Sequence, residues 1–303
     1  RDAAGEKLFA RWRTSLDQVR ARAGKGDKAI GLGMPATISI DTQSRWQDFF
    51  SPAVIGVVPG TDRRLAAEHV VLMAHLDHLG IDESAKPGGD RIYNGALDNA
   101  SGVATMIETA RRFVQSGRAS RRSVMFIANT GEEDGLLGAS YFAAHPTVPA
   151  DWIVGVVDLD MPLLLYDFTD VIAFGAEHSS MARAVATAGA GMGVSVAPDP
   201  MPDETLFVRS DHYPFVKRGI PAVFLMSGWA NGGQQVWSRF LTMTYHSVKD
   251  DLSQPIRWNQ GARFADLNYR IARTLADSEE RPMWYQGDYF GETFAPARPK
   301  ARR

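Results

Sequence analysis

Histidines and carboxylates in this chain fall into a few tight groups. They are His75-Leu76-Asp77, Asp98 within the turn-rich stretch from Tyr93 to Gly102, Glu132-Glu133-Asp134 between glycines, Asp158 and Asp160, Ser210-Asp211-His212, and Tyr245-His246. Strand side chains alternate with a period of two, so His75 and Asp77 share a face if the chain is extended there. The carboxylate can then accept the second ring N–H of the imidazole, the usual way in which a metal-bound histidine is oriented. Asp77 is thus a candidate orienter of His75, although a His-x-Asp pair alone is as much at home on a surface. Asp98 precedes a helix, where a carboxylate commonly caps free backbone N–H groups; capping explains that residue but not the small residues around it. Adjacent loop side chains such as Glu132 and Glu133 can point in different directions, so one can bind a metal while its neighbour holds a proton. A carboxylate on an apolar strand is costly to bury without a cation, so at least one of Asp158 and Asp160 should meet one.

Cysteine is absent, which excludes disulfides, a catalytic thiol and thiolate-bound metal, leaving imidazole and carboxylate as the strong ligands. Such a set suits zinc or manganese better than calcium, which prefers oxygen throughout. The 303 residues carry 33 Lys plus Arg against 35 Asp plus Glu, a formal net charge of -2. That balance offers no basic field for a nucleic acid and no polybasic stretch for an anionic membrane. The longest apolar runs, Trp152 to Val157 and Ala222 to Met226, fall far short of the roughly 20 residues of a membrane helix.

Regular elements must position these groups. Val70 to Ala74, Val124 to Ala128, Ile153 to Leu159 and Ala222 to Met226 read as buried strands, being short and apolar on both faces. Ser101 to Phe113, Leu136 to Ala144, Ser179 to Ala188 and Gly261 to Ala276 read as helices. That alternation predicts an α/β sandwich with a largely parallel sheet, in which ligands sit beyond the carboxyl ends of the strands. Ahead of it, residues 5 to 23 predict one amphipathic helix stopped at Gly24, with short strands at Ala36 to Ile40 and Val54 to Val58. The organisation expected is a lead-in over 1–53, a main domain over 54–280, and a tail over 281–303 that packs irregularly and then frays. His69, His145 and His178 are expected at the surface, whereas His78 and His212 are expected to pack or hydrogen-bond beside the motifs.

Taken together, His75-Leu76-Asp77, Asp98-Asn99-Ala100-Ser101-Gly102, Glu132-Glu133, Leu159-Asp160-Met161, Ser210-Asp211-His212 and Tyr245-His246 resemble, in order and rough spacing, the M28 family of zinc peptidases, which includes bacterial aminopeptidases. The likeness runs roughly from Val54 to Ala276. It implies a three-layer sandwich whose central mixed, largely parallel sheet is flanked by helices. It also implies two zinc ions sharing Asp98, one completed by His75 and Asp160 and the other by Glu133 and His246, with Glu132 as general base. Two metals about 3.5–4 Å apart can polarise a scissile carbonyl and activate a bridging water together, which requires one shared carboxylate and one free to take the proton. Asp158 rivals Asp160; the Asp-Met likeness favours Asp160.

The activity implied is removal of N-terminal residues from peptides or small proteins. A carboxypeptidase, a single-zinc glutaminyl cyclase and an inactive binding module share the scaffold, and intact His75 beside Asp77 favours the two-metal reading over the cyclase. Two features depart from the pattern: Phe207 stands where some members have a tyrosine, and Pro162 follows Asp160-Met161. Members often carry a protease-associated domain, of which the segment before Val54 can be the flank. The resemblance implies a secreted or periplasmic protein; any export signal is expected to lie upstream of Arg1 or never to have existed. Loops such as Ser227 to Phe240 are expected to wall the substrate side-chain pocket.

Overall fold

The computed structural model describes residues 2–26, 37, 39–46, 48 and 50–303. The chain divides into two units, Arg1–Phe50 and Ser51–Arg303. In the first, the single helix expected over residues 5 to 23 is two, α1 (Asp2–Phe9) and α2 (Leu16–Ala23). The interruption has a local cause. Ser15 Oγ accepts the Gln18 N–H at 3.2 Å while the Gln18 side chain accepts the Ser15 N–H at 3.0 Å, a capping box that starts a new helix. The strand expected at Ala36 to Ile40 lies partly outside the described residues, and positions 37, 39 and 40 have no regular structure.

The second unit is built on a 7-stranded sheet. Its strands are β1 (Val54–Val58), β2 (His69–His75), β3 (Ser123–Asn129), β4 (Ile153–Asp158), β5 (Asp170–Phe174), β6 (Ser195–Ala197) and β7 (Ala222–Ser227), in the spatial order β1-β3-β2-β4-β7-β5-β6. The central strands β3, β2, β4 and β7 are parallel, whereas β1 and β5 run antiparallel to β3 and β7. Every residue of β2, β3, β4 and β7 is buried, as apolar runs without alternation require. Helices α3 (Ser101–Gln115), α4 (Leu137–Ala144), α5 (Met181–Ala190), α6 (Tyr213–Val216), α7 (Gly233–Met243), α8 (Trp258–Asp277) and α9 (Tyr289–Phe294) complete the unit.

The connection β2-α3-β3 steps to one side of β2, and β3-α4-β4 crosses back to the other. Right-handed crossovers then put α3 and α4 on opposite faces of the sheet. Accordingly α8 packs with α3 and α5, while α4 packs with α6, giving the three layers. The reversal at β2 opens a crevice beyond the carboxyl ends of β2, β3 and β4.

Three expectations need correction. The stretch from Ser227 to Phe240 is mostly helix α7, held by buried Trp237, whose indole donates to the Ser227 carbonyl at 2.9 Å. The tail does not fray: Trp284 is buried and donates to the Gly219 carbonyl at 3.0 Å, and Ala301 near the end is buried too. His69, expected at the surface, is buried at the start of β2.

Candidate metal centre

Each parallel strand delivers chemistry where it ends. His75 is the last residue of β2, and its Nε2 lies 3.3 Å from Asp160 Oδ1 and 3.4 Å from Asp98 Oδ1. The other oxygen of Asp98 faces the opposite way, 3.2 Å from His246 Nε2, which also lies 3.2 Å from Glu133 Oε2. Asp98 therefore stands between two imidazoles, one on each carboxylate oxygen. The ligand atoms of His75, Asp98 and Asp160 lie within 4.8 Å of one another, as do those of His78, Asp98 and Glu133.

Asp98 is placed by an irregular turn, Ala96–Ala100, that enters α3. Two glycines make it possible. Gly95 has φ +63, and a Cβ there would meet the Asp98 carbonyl at 2.3 Å; a Cβ at Gly102 would lie 2.1 Å from both Asn99 Oδ1 and the Leu159 carbonyl. Asn99 ties this turn to the chain after β4, donating to the Leu159 carbonyl at 2.9 Å and accepting the Met161 N–H at 3.2 Å.

Asp77 sits differently from the sequence expectation. His75 Nδ1 is 2.9 Å from the Asp77 main-chain carbonyl and 3.7 Å from its carboxylate, so the carbonyl orients the ring. The Asp77 carboxylate instead accepts the Glu133 N–H at 3.4 Å. His78, which the sequence leaves as a packing or hydrogen-bonding residue, places Nδ1 2.7 Å from Glu133 Oε1 and 3.9 Å from Asp98 Oδ2. Its geometry holds one oxygen of Glu133 and leaves the other for His246.

Asp158 is turned away from the cluster. Its Oδ2 accepts His212 Nδ1 at 2.8 Å, the His212 N–H at 3.2 Å and Ser210 Oγ at 2.8 Å. Ser210 Oγ is also 2.8 Å from Asp160 Oδ2, so Ser210 props Asp160, while Asp211 pairs with Asn129 and His212 with Asp158. Phe207 is buried, its ring against His212 and His178, where it offers no donor. The phenol on the cluster is Tyr245, whose ring stacks on His246 with centroids 3.8 Å apart. A cavity of about 80 Å³ is lined by Asp98, Glu132, Asp160, Met161, Leu206, Arg209, Ser210, Phe224 and Tyr245. Larger clefts lie elsewhere and contain none of these acids.

Burial sets the electrostatics. It pushes Glu132 up to about 9, with Asp160 as the largest contributing charge and Asp211 and Glu133 adding to it. Burial also raises Asp160, against the pull of His75. At Asp98 burial works the same way, but hydrogen bonds from His246 and His75 outweigh it and hold the pKa at about 2. Burial disfavours the His75 imidazolium, yet Asp160 and Asp98 push its pKa up. Among the described residues none of these carboxylates pairs with Lys or Arg. Repulsion is left to protons, which a divalent cation would displace. An all-imidazole and carboxylate donor set, converging and lacking other countercharge, fits zinc.

The family model for peptidase family M28 matches residues 53–272. This chain belongs to peptidase family M28. Among curated relatives, the alkaline phosphatase isozyme conversion protein of Escherichia coli is 32% identical over 103 residues, which are 33% of this chain and 28% of that protein. Among solved structures, a zinc aminopeptidase from Bacillus subtilis superposes with a TM-score of 0.55 at 22% identity, covering 75% of this chain and 51% of that one. The glutaminyl cyclase of Porphyromonas gingivalis gives 0.52 at 20% identity, with 72% and 76% covered. At these identities the M28 chain shares the fold with both enzymes, and it spans only part of the first two proteins.

Sequence reasoning brought together His75, Asp98, Glu132, Glu133, Asp160 and His246, all of which meet at this crevice. It missed Asp250. That residue is fully buried and accepts the Leu97 and Asp98 N–H groups, each at 2.9 Å. Its neighbours Lys249 and Asp251 make the run look solvated, and no pattern in the sequence marks it.

Proposed function

We propose that this chain is a two-zinc aminopeptidase that releases N-terminal residues from peptides. The observation carrying the reading is Asp98, whose two oxygens each face a different imidazole, 3.4 Å from His75 and 3.2 Å from His246. His75, Asp98 and Asp160 would hold one zinc, and Asp98, Glu133 and His246 the other. Bound there, the metals would polarise the scissile carbonyl and lower the pKa of a water.

The protein's own groups do the rest. Glu132 lines the cavity beside Asp98 and Asp160; with cations offsetting its acidic neighbours, it accepts the proton of the attacking water and delivers it to the departing amine. With Phe207 packed away, Tyr245 is the phenol placed to donate a hydrogen bond to the substrate carbonyl oxygen as charge develops. Zinc analysis of the purified protein, with release of the first residue of an unblocked peptide before and after chelation, tests the reading. About two zinc ions per chain with chelator-sensitive release is expected; near one favours the cyclase chemistry, and none a binding module.

A further inference from the structure

Asp250 is a buried carboxylate with an unusual set of partners. Its Oδ1 accepts the Leu97 N–H and its Oδ2 the Asp98 N–H, both at 2.9 Å, while its main-chain carbonyl accepts the Ala96 N–H at 3.0 Å. Three consecutive N–H groups of the turn carrying Asp98 thus end on one residue, four positions after His246. The side chain is fully buried, so no water substitutes for these bonds, and hydrogen bonds to an ionised group are about twice as strong as neutral ones. The Asn99 side chain ties the far end of the turn to the chain after β4. At the near end Gly95 is left-handed and Asp98 and Asn99 depart from helical dihedrals, and there the Ala96, Leu97 and Asp98 N–H groups all go to Asp250.

We infer that Asp250 is a positioning residue that locks the Asp98 backbone to the His246 loop, fixing the distance across which Glu133, Asp98 and His246 close on a cation. The inference rests on the two-zinc reading for its consequence and on the three hydrogen bonds for its cause. No other carboxylate among the described residues clamps consecutive N–H groups of this turn. His246 itself sits at φ +51, a conformation uncommon outside glycine although histidine enters it more readily than most residues.

The test uses the full chain. In Asp250→Asn one oxygen remains an acceptor while an NH2 group faces the other N–H, so one bond is lost with little change in volume. Zinc titration against a chromophoric chelator should show affinity for one of two ions falling by about 10–100-fold, the usual effect of losing a partner behind a ligand, and the ratio of the two dissociation constants changing. Asp251→Asn, at the half-buried neighbour whose carboxylate serves the Ser253 N–H and not the Asp98 turn, should leave that ratio unchanged. A purely structural role would lower the melting temperature and spare the ratio, and that result overturns the inference. Amide hydrogen exchange of the unaltered protein supplies a readout independent of any variant's folding: zinc should slow exchange at Leu97 and Asp98, because coupling is reciprocal. If zinc binds and leaves both amides unchanged, the lock is not coupled to the site. If the unaltered protein takes fewer than two zinc ions, the two-zinc reading fails by itself. The lock is then judged by exchange in Asp250→Asn, which must quicken at both amides for it to stand.

Discussion

Replacing Glu132 by glutamine separates binding from chemistry. Glu132 lines the cavity with Asp98 and Asp160, and its carboxylate makes no hydrogen bond or ion pair with the described residues, so the amide fills the same space without breaking a contact. Zinc content should therefore stay at the level of the unaltered protein. Loss of a general base typically lowers the rate by about 10²–10⁴-fold, or roughly 2.7–5.4 kcal/mol at about 1.36 kcal/mol per tenfold. Steady-state hydrolysis of a chromogenic aminoacyl amide gives kcat and kcat/KM, and metal analysis gives the zinc content. Near-normal turnover would refute the assignment, and loss of one zinc would recast Glu132 as a ligand. A second consequence belongs to protein stripped with chelator. Burial and acidic neighbours raise Glu132 from 4.5 to about 9, so the folded chain binds this proton more tightly than the unfolded one. Stability contributed by the protonated group is thus present below the unfolded pKa and lost as pH rises toward about 9. Glutamine carries no such loss, and the variant's melting temperature should gain on the stripped unaltered protein across that window. A constant difference would mean that Glu132 is not crowded.

Much of this arrangement is legible without coordinates because buried parallel strands need apolar residues on both faces, and β2, β3, β4 and β7 advertise themselves that way. The weak strands are silent for the converse reason: β6 is three residues long with two exposed, and β5 opens on Asp170, whose side chain serves the Ala230 N–H at 3.1 Å. Ligand candidates at strand ends follow the same logic, since an acid after an apolar run must be met by something. Second-rank contacts do not follow it. Asp77 turns its carboxylate to the Glu133 N–H rather than to His75, and Asp158 serves His212 rather than a cation. Both choices depend on loop paths that side-chain periodicity does not encode. Asp250 is the extreme case, a charge in a polar run that is buried only because the Asp98 turn folds over it.

Three further outcomes follow from the same geometry. Asp98→Ala should release zinc from both sites, whereas His75→Ala should mainly empty one; two ions per chain remaining in Asp98→Ala would disprove a shared carboxylate. Tyr245→Phe should keep both metals and, on the scale seen when an oxyanion donor is removed, lower kcat by about 10²–10³-fold, with unchanged kcat assigning that donor elsewhere. The last concerns which end of the substrate is read. The cavity presents three carboxylates, Asp98, Glu132 and Asp160, against one cation, Arg209. Arg209 is half-exposed and already lies 3.4 Å from Glu204, so it is screened and partly engaged. The acidic lining favours an α-ammonium over an α-carboxylate, whose capture calls for an uncommitted, convergent guanidinium. N-acetylation of a peptide should therefore abolish cleavage and C-amidation should not, as judged by mass spectrometry of the products. Cleavage that survived acetylation but was lost on amidation would reverse the polarity of the site, and Arg209→Ala would then be expected to abolish it.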